Sequence, residues 1–257
     1  MAAESGKPTG AWPMLISVRY VMAPGCQIWW AEVADARPQL AELLPPEELQ
    51  RMGRYRRQAD RDRFLTAWAL ARAVVGGMLG VAPAGVRVDR TCRRCGAAHG
   101  KPQVTGVELS LSHAGERVVV AVDRSQSVGV DVERIARFDD GLSQGLVATV
   151  LTPREQEELR GSVGGVDPQG FLRYWVRKEA VVKATGDGLL LPLRTFAVSA
   201  PAAPARVLSS PANPAVPADL TLRDIPCATG YVAALAVIGP AGPIEERDGS
   251  ALLAGLV

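Results

Sequence analysis

A few charged side chains in the second half of the chain stand in patterns that suit phosphate chemistry. The segment SVGVDVERI (Ser127 to Ile135) alternates, so a strand would put Val128, Val130 and Val132 on one face and Gly129, Asp131 and Glu133 on the other. Two carboxylates two residues apart in an apolar strand repel each other and resist burial unless a cation lies between them. Oxygen ligands of this kind suit Mg2+, which keeps several waters and takes substrate phosphates beside a few carboxylates. The plainer alternative is an exposed edge strand with solvated acids. Further on, FLRYWVRKEAVVKATGDGL (Phe171 to Leu189) has apolar residues at helical spacing, and Gly186 and Gly188 end it. Lys178, Glu179 and Lys183 do not fit its buried stripe. Glu179 and Lys183 lie one turn apart on one face, which reads as a surface salt bridge worth ~0.3 kcal/mol. In the functional reading, Glu179 is a third oxygen ligand.

The basic residues are unevenly typed. Of 29 Lys and Arg, only Lys7, Lys101, Lys178 and Lys183 are lysine, and three of these fall in the segments discussed. The run RMGRYRRQADRDRF leads into FLTAWALARAVVGGML, where Phe64, Trp68, Ala71, Val75 and Met78 mark a helical core face. Arg63 and Arg72 lie outside that stripe. They form a solvated Arg-rich face, or a site for a multiply charged anion whose oxygens match guanidinium forks. Gly100-Lys101-Pro102 reads as a rigid turn offering its lysine to a phosphate or to water. His113, one of two histidines, reads on its own as structural. In TCRRCGAAHGKP, Cys92 and Cys95 have zinc-ligand spacing and His99 is a third donor. No fourth donor is near in sequence, so an unmetallated loop is the reading preferred here.

Positioning these residues takes strands at Met14–Met22 and Cys26–Ala34 and a helix after Leu43. The Arg-flanked helix follows, then two strands within Val107–Ser125 joined near Gly115. A short helix starts at Thr152-Pro153, capped by Glu155. GSVGGVDPQG reads as a Gly-rich linker that lacks the placement and lysine of a nucleotide-binding P-loop. RTFAVSA, Val207-Leu208, LTLRDI and CATGYVAALAVIG supply later strands. Residues 1–13 and roughly the last fifteen read as loose tails. Each half has strand material, a Trp-bearing helix with basic flanks, and an apolar strand pair. The expected fold is therefore α+β: two similar halves, 1–127 and 128–257, meeting at a cleft with Asp131 and Glu133 at the junction.

Composition excludes several classes. A chain of 257 residues, 47% hydrophobic with formal charge +2, is neither disordered nor a strongly basic nucleic-acid binder. No apolar run is long enough to span a membrane. Four cysteines without a secretory signal predict reduced thiols in the cytoplasm.

GVDVE at 129–133 followed by WVRKEAVVKATGDGL at 175–189 resembles the paired signature of the 4'-phosphopantetheinyl transferase family, G-[I/V]-D-x-E and W-x-x-K-E-A-x-x-K. The Ser-x-Ser-His element at Ser110–His113 and Gly-Lys-Pro at 100–102 fit the same family. Size places the chain with the larger two-half class, that of the surfactin-synthetase-activating transferase; Ala114 departs from the Ser or Thr common after the histidine. The resemblance implies a pseudo-twofold pair of halves and a monomer. It also implies Mg2+ (or Mn2+) on Asp131, Glu133 and Glu179, and coenzyme A as substrate. The phosphopantetheine arm would pass to a serine of an apo acyl or peptidyl carrier protein. Glu179, Lys183, Asp131 and Glu133 become the catalytic set, and Arg63, Arg72, Lys101, Pro102, Ser112, His113, Lys178 and Lys183 the coenzyme A-binding set. A Mg2+-dependent phosphohydrolase acting on coenzyme A is the alternative use of the same carboxylates.

Overall fold

The computed structural model describes residues 25–138, 141–160, 167–209, 216 and 218–257. The strand expected at Met14–Met22, the N-terminal tail and most of the Gly-rich linker lie outside these. The elements in chain order are β1 (Cys26–Glu32), α1 (Pro46–Met52), α2 (Gln58–Leu79), β2 (Asp89–Thr91), β3 (Ala98–Gln103), β4 (Glu108–Ala114), β5 (Arg117–Asp123) and β6 (Val128–Arg134). Then come α3 (Gln144–Val150), α4 (Pro153–Arg160), α5 (Pro168–Thr185), β7 (Ala197–Val198), β8 (Val207–Ser209), β9 (Leu220–Asp224), β10 (Tyr231–Ile238), β11 (Ile244–Asp248) and α6 (Gly249–Ala254). The α+β expectation holds.

Strand periodicity organises the molecule. One sheet has the order β11-β1-β5-β4, and a second, antiparallel throughout, the order β6-β10-β9. Trp29, Ala31, Val118, Val120 and Val122 point to α2. The alternate residues Ile28, Val119 and Ala121 turn to the second sheet and meet Val128, Val130, Val132, Ala233, Leu235 and Val237. On that sheet's far face, Val232, Ala234 and Ala236 lie under α5. The layers are therefore helix, sheet, sheet, helix, and β5 and β10 read as unbroken apolar runs because both of their faces are covered. Each fully buried Phe, Leu or Val side chain in these cores stabilises the fold by roughly 2 kcal/mol.

Several expectations needed correction. The stripe predicted on α2 is buried, but burial continues around the helix from Phe64 to Gly76 and includes Arg72. The helix has the first sheet beneath it and α1 and α6 against its other sides. Helix α5 starts inside the expected linker, because the Asp167 carboxylate accepts the Gln169 and Gly170 amides at 3.0 Å and Pro168 is its first residue. Helix α4 has the expected cap, with Thr152 N–H donating to Glu155 at 2.8 Å. Gly100-Lys101-Pro102 is no turn; it lies within β3, opposite β2. The C-terminal residues are not loose: β11 pairs in parallel with β1, Cys26 opposite Ile244, and α6 packs on α2. A boundary at 127/128 thus does not divide the chain into two contiguous halves: β11 and α6 join the first sheet and α2, and the cluster between the sheets draws on both sides of the boundary. The polar run IEERD carries no strand signal of its own, because its partner lies more than 200 residues upstream.

Candidate active site

The site is built where α5 crosses β6. A side chain at Gly129 would run into the Ala180 carbonyl oxygen and the Ala184 amide nitrogen, so the helix backbone lies directly on this strand position. That close approach brings the Glu179–Lys183 turn of α5 over Asp131, two residues along the same face. Beside it, β4 and β6 are joined by side chains. Ser110 Oγ accepts the Val130 N–H at 3.0 Å, and Ser112 Oγ donates to Asp131 Oδ1 at 2.7 Å. Lys183 Nζ donates to Asp131 Oδ1 at 2.7 Å, to the Val130 carbonyl at 3.1 Å and to the Leu111 carbonyl at 3.5 Å. Lys183 is thus committed to Asp131, and no ion pair joins it to Glu179 among the described residues.

The three carboxylates differ in their surroundings. Asp131 is 5% exposed, and its Oδ2 is buried with no hydrogen-bond partner. Glu179 has no hydrogen bond or ion pair among the described residues. Burial first, and the charge of Asp131 second, hold its carboxyl above the usual glutamate range, with Lys183 opposing. Burial and Asp131 likewise raise Glu133, against the Arg137 guanidinium that pairs with it. An orphaned buried carboxylate oxygen, with two more carboxylates held in each other's field, is a donor set that fits a hard divalent cation. The three are not gathered to one point: among the described residues, only Cys92, Cys95 and His99 bring three ligand atoms within 4.8 Å of one another.

Two cavities meet at Glu179. One, of about 330 Å3, lies between the halves and is lined by Phe64, Trp68, Arg90, Lys101, Pro102, His113, Glu179 and Lys183. The other, of about 770 Å3, is lined by Leu146, Thr149, Trp175, Glu179, Val182, Leu193 and Arg194. His113 stands at the mouth of the first. Desolvation by its surroundings, then the charges of Arg63 and Lys183, keep its pKa below the ordinary histidine value. Arg63 is held nearby by Asp60 at 2.7 Å and the Gly115 carbonyl at 3.2 Å.

Three basic residues expected to grip a ligand are otherwise engaged. Arg72 is 3% exposed and outside the cleft; it forks onto Glu48 at 2.7 and 2.8 Å and donates to the Pro83 and Val86 carbonyls. Lys178 is 0% exposed, paired with Glu155 at 2.6 Å and bonded to the Val150, Leu193 and Phe196 carbonyls. Its role is to tie α5 to α4 and the loops around it. Lys101 lines the cleft, yet its Nζ is held by Ser127 Oγ at 2.6 Å, the Ala184 carbonyl at 3.0 Å and Glu108 at 3.5 Å, stitching the two halves together. Arg90 was missed. It stacks 5.1 Å from the Trp68 ring with its Nε buried and unpartnered, as a wall of an anion site would be. A single arginine in a three-residue strand gave no sequence signal.

Two family profiles cover most of the chain. The 4'-phosphopantetheinyl transferase superfamily matches residues 127–236, and the N-terminal region of 4'-phosphopantetheinyl transferases matches 29–125. The chain belongs to the 4'-phosphopantetheinyl transferase superfamily. It is 32% identical over 179 residues to the 4'-phosphopantetheinyl transferase HetI of a Nostoc species, covering 67% of this chain and 72% of that one. It is 25% identical over 159 residues to the transferase Sfp of Bacillus subtilis, covering 61% and 66% of the two chains. A Thraustochytrium phosphopantetheinyl transferase is 32% identical over 174 residues, 62% of this chain and 58% of its own.

Proposed function

We propose that this chain moves the 4'-phosphopantetheine arm of coenzyme A onto a serine of an apo acyl or peptidyl carrier protein and releases adenosine 3',5'-bisphosphate. The observation that carries the reading is the packing of α5 on Gly129, which sets Glu179 at the meeting of two cavities with Lys183 on Asp131. Coenzyme A occupies the cleft between the halves. Arg63, His113 and Arg90 offer donors to its phosphates, and Trp68 and Phe64 form an apolar wall. The carrier serine approaches from the second cavity. Its oxygen bonds to the phosphorus that bears the pantetheine arm, and the bond from that phosphorus to the bridging oxygen breaks. The hydroxyl proton passes to Glu179, whose carboxyl is held above the usual glutamate range by burial and by the charge of Asp131. Lys183 supplies positive charge where the phosphoryl oxygens gain negative charge.

Asp131, Glu133 and Glu179 would hold Mg2+, whose charge would neutralise and orient the diphosphate when bound. A monomer in a reducing cytoplasm completes the reading; no disulfide joins the four cysteines, and no described helix is long and apolar enough to cross a membrane. The phosphohydrolase alternative has no support among the relatives. Mass spectrometry of a panel of apo carrier proteins, incubated with the chain, coenzyme A and Mg2+, tests the proposal. A gain of one phosphopantetheine on the carrier is expected. Release of phosphopantetheine to water without any carrier, or no gain on any member of the panel, would overturn it.

A further inference from the structure

The β2–β3 hairpin has no apolar core of its own. Its strands have three and six residues, and none of its apolar side chains is buried. A two-stranded ribbon without an apolar face is marginal in water. Yet its second strand supplies Gly100, Lys101 and Pro102 to the wall of the interhalf cleft.

The tip of this hairpin gathers soft ligands. Cys92, Cys95 and His99 bring two sulfurs and a ring nitrogen within 4.8 Å of one another, with His99 Nε2 2.9 Å from Cys95 Sγ. The backbone is folded to hold them: Cys92 N–H donates to the Ala97 carbonyl at 2.8 Å, and Gly96 N–H to the Cys92 carbonyl at 2.9 Å. Gly96 sits at φ +71°, in the left-handed region that closes this reversal. Cys26 is buried in the core between the sheets and Cys227 follows β9, so neither completes the set.

We propose that Cys92, Cys95 and His99 bind one Zn2+ that pins the hairpin tip, with solvent as the fourth ligand. Two thiolates and an imidazole select Zn2+ over the hard cation suited to the carboxylates. The metal takes the place of the apolar core that the hairpin lacks, and so fixes one wall of the cleft. The site also opens on a neighbouring cavity of about 1020 Å3 bordered by Arg93, Arg94 and Asp187, which gives the ion a solvent path.

The test needs no activity measurement. Full-length protein purified with reductant and without chelator is dialysed, and its zinc is counted by plasma mass spectrometry. About one zinc per chain is expected, falling at least ~10-fold in Cys92→Ser, Cys95→Ser and His99→Ala, whose circular dichroism should match the parent. Co2+ loaded in its place should show thiolate-to-cobalt charge-transfer and tetrahedral visible bands in the parent only. Amides of 89–103 should exchange faster after metal removal, with those of β4 to β6 unchanged. A parent chain that carries no zinc and takes up no Co2+ overturns the proposal. So does metal that persists in all three variants, or a Cys92–Cys95 disulfide in protein isolated without reductant.

Discussion

Substituting Gly129 by Ala tests whether the helix crossing creates the site. The added methyl would lie inside contact distance of two α5 backbone atoms, and even the third, the Lys183 carbonyl carbon, would be 2.9 Å away. Ordinary contact begins near 3.4 Å, and backbone cannot step aside as a flexible side chain does. The helix must lift, and overpacking of this kind costs about 1–3 kcal/mol. In a chain of this size that corresponds to a melting-temperature drop of roughly 3–10 °C. The lift also carries Glu179 and Lys183 away from Asp131; a displacement of about 1 Å in reacting groups costs ~10²-fold in rate. The assay is single-turnover transfer to a saturating apo carrier well below the melting temperature, paired with a thermal melt. Transfer at the parent rate by a variant as stable as the parent would refute the argument that contact at Gly129 sets the site.

Three further outcomes are expected. Glu179→Gln keeps the shape of the side chain but removes its basicity, so the rate should fall at least ~10²-fold with little change in melting; an unchanged single-turnover rate would remove Glu179 from the chemistry. Lys178→Ala leaves Glu155 buried without its partner and should lower stability by roughly 3–5 kcal/mol, while calorimetric coenzyme A affinity at low temperature stays near the parent's; a stable variant with weakened affinity would restore the ligand role read from sequence. His113 should titrate below an ordinary histidine, and Arg63→Gln should raise its pKa by removing a neighbouring cation. Because the folded state favours its neutral form, the stability it contributes is present above the ordinary histidine pKa and is lost as pH falls through the lowered value. Proton NMR of the two imidazoles reads this directly, and an unmoved resonance in Arg63→Gln would show that Arg63 does not act on it.

Local pattern made much of this legible. Alternation in SVGVDVERI placed Asp131 and Glu133 on one strand face, and the Thr152/Glu155 cap marked α4, since both signals lie within a few residues. What escaped depends on distant partners. Lys178 looked functional because lysine is rare here, but its amine is matched by Glu155 and three carbonyls that only the fold assembles. Arg72 is explained in the same way by Glu48. The Glu179–Lys183 pair suggested by helical spacing gave way to Lys183 with Asp131, a contact across 52 residues. Gly129 was read as part of a motif without its physical reason, which is the helix backbone resting on it.

The return of β11 to β1 has a consequence for the order in which the protein can be assembled. During synthesis the first half emerges with β1, β5 and β4 present but with one side of β1 still unpaired. The edge is covered only when residues 244–248 arrive, after the whole second core has been made. Until then the nascent sheet exposes backbone donors and acceptors that invite pairing with another chain. Helix α6, which follows at once and packs on α2, completes the same half. A fragment cut between the two family regions would therefore keep that open edge for good, and is expected to self-associate.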